Sequence, residues 1–425
     1  MNFAKRLFRF EGLYQHPDFM KLWAGQTVSQ FGSRITRGAL PLTAVLLLGA
    51  TPAQMGILAA SSALSALFFG LFLGVWVDRL HRRPLLIAAD IGRLIILLSV
   101  PIAALTGHLS IALIGIVTIL TGALTLLFDT AYYAVLPALI GADNVLEGNA
   151  KLATTDALAE VGGPAIAGLL VQLITAPIAI LFDAASFAVS AVSLALIRTP
   201  EIPRTGRAVE VSVWHEIAEG WRAIVGHPLL RVIATGNTAQ TFFGNFYAAL
   251  YSVYVLRVVG LTPAVEGILI AGGGIGGLLG ALLAERLPRR FGFGGTMRVV
   301  LIGSALAGLL TPLAGGVLFL AAVMLLMAQI IGDGLQTIYA INVLSLRQAL
   351  VPDHLLGRAN ATSAFLAQLA APSGALIAGV LGEHFGARIT LTFAALGMLV
   401  TALIMSHLAF DKSTQVNYAD EDRAG

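Results

Sequence analysis

Apolar stretches long enough to cross a bilayer recur along the whole chain, separated by short polar, glycine- or proline-containing turns. Twelve spans can be drawn: 19–48, 53–77, 84–106, 109–138, 147–174, 177–198, 229–258, 264–285, 296–314, 317–345, 356–383 and 387–409. Several exceed the ~20 residues that one crossing needs, which predicts tilted or kinked helices.

The pattern also repeats itself at an offset of 211 residues. His16-Pro17 recurs as His227-Pro228, Thr51-Pro52 as Thr262-Pro263, and Asn149-Ala150 as Asn360-Ala361. Gly163 and Gly168 recur as Gly374 and Gly379. Two gap-free copies of a multi-span unit are the mark of a transporter that works its substrate between two halves.

Within the apolar spans, four helices carry polar stripes in matching register. Span 1 places Gln26, Gln30, Ser33, Arg34 and Arg37 on one face, and span 7 answers with Asn237, Gln240, Thr241, Gly244 and Asn245. Span 4 carries Thr118, Gly122, Thr125 and Asp129, and span 10 carries Gln329, Asp333 and Gln336. Scattered Ser and Thr serve to hold helices together. Arg34, Asp129 and Asp333 need more, because a charge at membrane depth is costly unless it faces water or a partner. They predict a shared water-filled cavity lined by symmetry-related helices. Span 5 adds Asp156 and Glu160, one turn apart, of which Glu160 is the deeper. The proton-coupling site is therefore expected among Arg34, Asp129, Glu160 and Asp333. Asp183 of span 6 lies outside the polar set and is expected to be structural.

Composition fits this picture. The chain of 425 residues is 57% hydrophobic and 12% charged, too apolar for one soluble core. It holds no cysteine, so disulfides, thiol chemistry and Cys-based metal sites are excluded. The net charge is only +3, but its placement is informative. Lys5, Arg6, Arg9, Arg79, Arg82, Arg83, Arg198, Arg204, Arg289, Arg290 and Arg358 all fall to one side, and Arg257 and Arg388 to the other. By the positive-inside rule both termini are cytoplasmic. The expected fold is thus an all-α membrane protein of twelve transmembrane helices in two six-helix bundles, residues 1–198 and 229–410. A cytoplasmic linker, 199–228, joins them and carries an amphipathic helix, on which Val213, Trp214, Ile217, Trp221, Ile224 and Val225 share a face. A disordered cytoplasmic tail, 411–425, follows.

Two motifs refine the reading. Gly70-x-x-x-Gly74-x-x-x-Asp78-Arg79-x-x-Arg82-Arg83 lies between spans 2 and 3, with a degenerate copy at Gly277, Glu285-Arg286 and Arg289-Arg290. The glycines permit close helix approach, and the acid before the arginines can hold a facing helix end or an arginine until the cytoplasmic side opens. In span 5, Gly163-Pro164-x-x-x-Gly168 places a proline between small residues. By contrast, Gly272-x-Gly274-x-x-Gly277 spells a dinucleotide fingerprint but sits inside span 8, where helix packing accounts for it. No GxxxxGK[ST] loop occurs.

Asp78-Arg79-Leu80-His81-Arg82-Arg83 resembles the signature loop of the major facilitator superfamily, with His81 where glycine is usual. Gly32-Ser33-Arg34-Ile35-Thr36-Arg37, Asp183 to Phe187 and Arg347 to Asn360 are similar to its macrolide-efflux and enterobactin-exporter branch. The resemblance covers all twelve spans, and Gly163, Pro164 and Gly168 match the Gly-Pro motif of superfamily exporters. It implies a multi-pass cytoplasmic-membrane antiporter that effluxes small amphipathic molecules, drugs or siderophores, by alternating access, in a bacterium. One departure stands out: the span-4 arginine usual in drug–proton antiporters is absent, which leaves Arg34 to serve from span 1. The expected partners are a small-molecule substrate, protons and the lipid bilayer, with no cofactor, metal or nucleic acid, and the chain is expected to act as a monomer. The alternative within transport is a lipid or lysophospholipid flippase of the same fold. A membrane enzyme or receptor is the distant alternative, since no embedded His cluster or nucleophile–base pair is present.

Overall fold

The computed structural model describes residues 12–199 and 213–410, apart from the side chains of 70–79, 133–134, 213–217 and 410. The tail 411–425, most of the linker and the basic N-terminus lie outside the described residues, as do the side chains of Gly74, Asp78 and Arg79.

The described chain is helical. In order come α1 (Pro17–Leu46), α2 (Pro52–Arg79), α3 (Arg82–Leu105), α4 (Ile111–Ile140), α5 (Val145–Ile174) and α6 (Ala176–Ala195). The linker helix α7 (Val213–Gly226) leads to α8 (Pro228–Val253), which runs on as a π-helical turn, Tyr254–Val259. Then follow α9 (Pro263–Leu283), the short α10 (Arg286–Phe291), α11 (Phe293–Leu313), α12 (Leu318–Leu350) and α13 (Asp353–Phe410). Among the described residues, ten helices are long and apolar enough to cross a membrane. Their outward faces carry large apolar side chains, Leu105, Leu146 and Phe319 among the most exposed; bilayer lipid is the solvent for such faces. α13, at 58 residues, is too long for one crossing, and Gly386, with φ 80° and ψ 157°, breaks it into two arms. α1, which carries the polar stripe of span 1, is not among the ten.

The repeat is visible in how helices begin. His16 and His227 occupy the N-cap positions of α1 and α8, each followed by proline, whose missing N–H costs nothing in a first turn. His16 Nδ1 accepts the Phe19 N–H at 3.1 Å. The Thr51 and Thr262 hydroxyls accept from Gln54 N–H and Val265 N–H, both at 3.4 Å.

Two compact units result: Met1–Leu48 with Leu64–Ala208, and Gly49–Ala63 with Val209–Gly425. The core of the first is built on Phe19, Leu22, Leu86, Phe128 and Leu136; that of the second on Ile233, Met297, Leu301, Tyr339 and Met405. The first turns of α2 group with the second unit for a local reason. Gly56 meets the backbone of Gly379, Ala53 N–H donates to Glu383 Oε2 at 3.1 Å, and Arg257 donates to the Ala50 carbonyl at 2.7 Å. Within the second unit α9 and α12 approach at backbone distance. Gly276 abuts the Ile330 carbonyl and Gly280 the Gly334 carbonyl, so any side chain at either position would collide with main chain. These are the glycines around the false dinucleotide fingerprint.

The linker helix is anchored by more than its apolar face. Ile224 is buried with Leu230, Ala234, Val351 and Ala359, Glu219 pairs with Arg358, and Gly220 lies under the Arg358 carbonyl. Trp221 stays exposed.

At the start of α1, before the predicted first span, Asp18 ties down the chain leaving α6. It accepts from Lys21 at 2.7 Å, from Arg198 N–H at 3.0 Å, and from the Thr199 N–H and hydroxyl at 2.9 and 2.7 Å. The Lys21 ammonium, then the Thr199 and Arg198 donors, hold its carboxyl well below the usual carboxylate range against the opposing effect of desolvation. A depressed acid contributes stability above its unfolded value and loses it as pH falls through its folded value. Asp18→Asn should therefore lower the melting temperature of purified protein by a few degrees at neutral pH. That gap should close only as acid takes the wild type below about pH 4. Thermal scans of both proteins across pH check this.

Candidate functional site

In the first unit, α1 presents Arg34 toward α5. Its guanidinium donates to Asp156 Oδ1 at 2.8 Å and pairs with Glu160 Oε2. The two acids, one helical turn apart, would repel each other without this bridge. Gly163 makes it possible: a methyl group there would overlap Arg34 Cβ and Cγ. Pro164 follows inside α5, and Gly168 is buried. The Gly-Pro motif thus forms the notch in which the arginine stem lies. Arg37, one turn on, is exposed, as is Asp129 of α4, and Gln30 is half-buried. Gln26 is buried, and its amide donates to the Ser190 hydroxyl at 3.0 Å, joining α1 to α6.

A second charged group in this unit escaped the sequence reading. Arg93 of α3 is 3% exposed and pairs with the fully buried Asp90. Its guanidinium lies 4.4 Å from the Phe128 ring centroid and 4.1 Å from that of Phe187, and reaches Thr125 at 3.5 Å. The position lacks any counterpart at the 211-residue offset, where Leu301 and Ser304 stand. A comparison built on paired stripes could not see it; the signal was simply two charges three residues apart in an apolar span. Asp183, buried on α6, accepts from the Ser186 hydroxyl at 3.0 Å and packs against Gly32 of α1.

The second unit holds two adjoining cavities. One, of about 580 Å³, is lined by Asn237, Gln240, Gln336, Tyr339, Arg347 and Asn360. The other, of about 410 Å³, is lined by Tyr247, Tyr251, Ser252, Gln329, Asp333 and Gln336. Gly244, Gln336 and Met398 belong to both. The stripes of spans 7 and 10 therefore meet around one polar space, with Asn245 outside it: its amide donates to the Thr241 carbonyl at 2.8 Å. Asp333 projects against Gly273, where a methyl group would overlap the carboxylate. The walls are partly fixed. The Tyr339 hydroxyl donates to Asn237 at 2.6 Å, Gln240 donates to the Met398 carbonyl at 3.2 Å, and Arg347 donates to Asn360 at 2.7 Å. Arg347 was read from its charge and a family segment, and Asn360 from the repeat and the same segment, neither as a cavity residue. α12 runs on to Leu350, past the predicted span end at 345, and carries Arg347 to the cavity wall.

Of the remaining loop residues, Arg83 donates to the Leu194 and Ala195 carbonyls at 2.8 and 2.6 Å and so caps α6. Arg82 is half-buried. Glu285 pairs with Arg289, both strongly exposed, and Arg286 is exposed beside them. Among the described residues no group of His, Cys, Asp or Glu is placed to hold a metal ion.

An arginine bridged to two acids in one unit, and a cavity lined by amides, tyrosines and one exposed acid in the other, are transport features rather than catalytic ones. The profile of the Major Facilitator Superfamily matches residues 22–375. The chain belongs to this superfamily. It is 23% identical over 376 residues to "Macrolide efflux protein A" of Streptococcus pyogenes, covering 87% of this chain and 90% of that protein. It is 25% identical over 410 residues to "Enterobactin exporter EntS" of Citrobacter koseri, covering 95% of each. The fold matches the crystal structure of the nucleoside transporter NupG with a TM-score of 0.76 at 13% identity, over 93% of this chain and all of that one. These proteins are transporters, and this chain is a multi-pass member of the same superfamily.

The glycine notches give a paired prediction. Gly163→Ala should lower the melting temperature, because the new methyl group displaces Arg34. Gly244→Ala, at a helical glycine with open space around it, should leave the melting temperature unchanged or slightly raised, since alanine is the better helix former by up to ~1 kcal/mol. Thermal denaturation of the two purified variants checks the contrast.

Proposed function

We propose that this protein is a cytoplasmic-membrane secondary transporter that exports small amphipathic organic molecules, cationic ones foremost, in exchange for protons by alternating access. The observation that carries the reading is the cavity of the second unit. It combines one exposed carboxylate, Asp333, with amides and the rings of Tyr247 and Tyr251. A carboxylate beside aromatic faces suits a lipophilic cation: one attracts its charge, and the rings receive both charge and apolar body. The relatives named for macrolide and enterobactin efflux support the outward direction. Counting α1 and the two arms of α13 as separate crossings gives twelve spans, an even number that agrees with cytoplasmic termini.

On this reading the N-terminal charges act with the cavity. Arg34, bridged to Asp156 and Glu160, forms the coupling group of the first unit, and Asp78 with its arginines holds the cytoplasmic loops until they part. Each proton moving inward yields about 2.3 kcal/mol per 100 mV of membrane potential, enough for a modest substrate gradient.

The test uses inverted membrane vesicles and the lipophilic cation ethidium. Asp333→Asn should weaken ethidium transport about tenfold, a loss of roughly 1.4 kcal/mol of interaction. Glu160→Gln should abolish the response to an imposed pH gradient while substrate still equilibrates. Wild-type transport in the first variant sinks the cationic assignment, and a full gradient response in the second sinks the coupling role of Glu160.

A further inference from the structure

We propose that Glu266 of α9 is a proton-binding residue of the second unit, connected to the Asp333 cavity through the Ser252 hydroxyl. The proposal rests on the proton-coupled reading for its use, but not for its test.

Glu266 is 2% exposed, in the first turn of α9. One carboxyl oxygen, Oε1, accepts from the Ser252 hydroxyl at 2.6 Å. The other, Oε2, is buried without a hydrogen-bond partner. An ionised carboxylate has about four acceptor sites to satisfy, so one neutral donor is a poor return for removing its charge from water. A proton on Oε2 removes that deficit. The reaction is a simple protonation, carboxylate plus H⁺ to carboxylic acid, with no other bond changed.

Placement links this group to the cavity. Ser252 donates to Glu266 and also lines the space beside Asp333, so it stands between the buried carboxyl and the open volume. Tyr251, its neighbour on α8, lines the same cavity, and its hydroxyl is buried without a partner. The titratable groups that line this cavity are Tyr251 of α8, next to Ser252, and Asp333 of α12. Glu266 and Gly273 are seven residues apart on α9, two helical turns along one face, and Asp333 lies against Gly273. A cation drawn to Asp333 would therefore occupy the end of the cavity that Glu266 backs. Charge on the cation and a proton on Glu266 compete for the same local field, which is the condition for exchange rather than co-transport.

The sequence reading named Asp129, Glu160 and Asp333 as the acids to test. Glu266 has no partner at the 211-residue offset, where Met55 stands, and it was passed over. Its placement sets it apart from those three: Asp129 and Asp333 are exposed, and the side chain of Glu160 is half accessible.

The measurement is infrared difference spectroscopy of purified wild-type protein titrated across neutral pH, without substrate. A protonated carboxyl has a carbonyl band distinct from those of the carboxylate. We expect such a band to titrate in the wild type, to persist in Asp333→Asn, and to vanish in Glu266→Gln, which keeps the shape and the Ser252 hydrogen bond. Ser252→Ala, which leaves Glu266 in place, should raise the midpoint of the band by removing a donor to the ionised form; it keeps the test informative where Glu266→Gln fails to fold. A titrating band unchanged in Glu266→Gln, a band lost in Asp333→Asn instead, or a midpoint unmoved by Ser252→Ala overturns the proposal. In ethidium-loaded vesicles, Glu266→Gln should further flatten the pH dependence of transport. If the wild type shows the band but no pH-driven transport, the coupling reading fails and the proton site stands.

Discussion

Every charge that this chain places inside an apolar helix must be answered, and the answers shape the packing around them. Arg34 is answered by Asp156 and Glu160, and α5 gives up a side chain at Gly163 to let the arginine in. Arg93 is answered by Asp90 and two aromatic rings. Asp333 takes the room left by Gly273 and faces a cavity instead of lipid. The cost of an unmet charge at low dielectric is several kcal/mol, larger than most single packing contacts. Where the charges stand therefore fixes which helices touch and at which turn.

The glycines follow the same logic with two different neighbours. Gly276 and Gly280 lie against backbone carbonyls and let α9 and α12 meet without side chains between them. Gly163 and Gly273 lie against charged side chains. The first kind sets a distance between helices; the second sets the position of a charge within that distance.

Much of this was legible in the sequence because it is periodic. Helical spacing exposed the stripes of spans 7 and 10 that line the cavities, and the repeat offset exposed the His-Pro helix starts. Glycine 386 stands in the short gap drawn between the last two spans, where its left-handed backbone breaks α13. What periodicity does not duplicate was missed. Asp90, Arg93 and Glu266 stand opposite Leu301, Ser304 and Met55, so no matched stripe marks them. The contact of Arg347 with Asn360 on the cavity wall depends on its long stem. Side-chain reach of that kind cannot be read from spacing. Nor does the sequence show that the first turns of α2 belong with the second unit, which depends on Gly56 meeting Gly379 some three hundred residues away.

The cavity walls carry amides at Asn237, Gln240, Gln329, Gln336 and Asn360, with Gln336 common to both spaces. A carboxamide offers donor and acceptor on one short flexible stem and carries no net sign. Turning it over exchanges one face for the other at little cost. Asn237, Gln240 and Asn360 are already held by Tyr339, the Met398 carbonyl and Arg347, so the part of the wall that imposes no fixed template of donors and acceptors is that of Gln329 and Gln336. Ligands with quite different edges can then be met with similar free energy, and the discrimination falls to charge and volume.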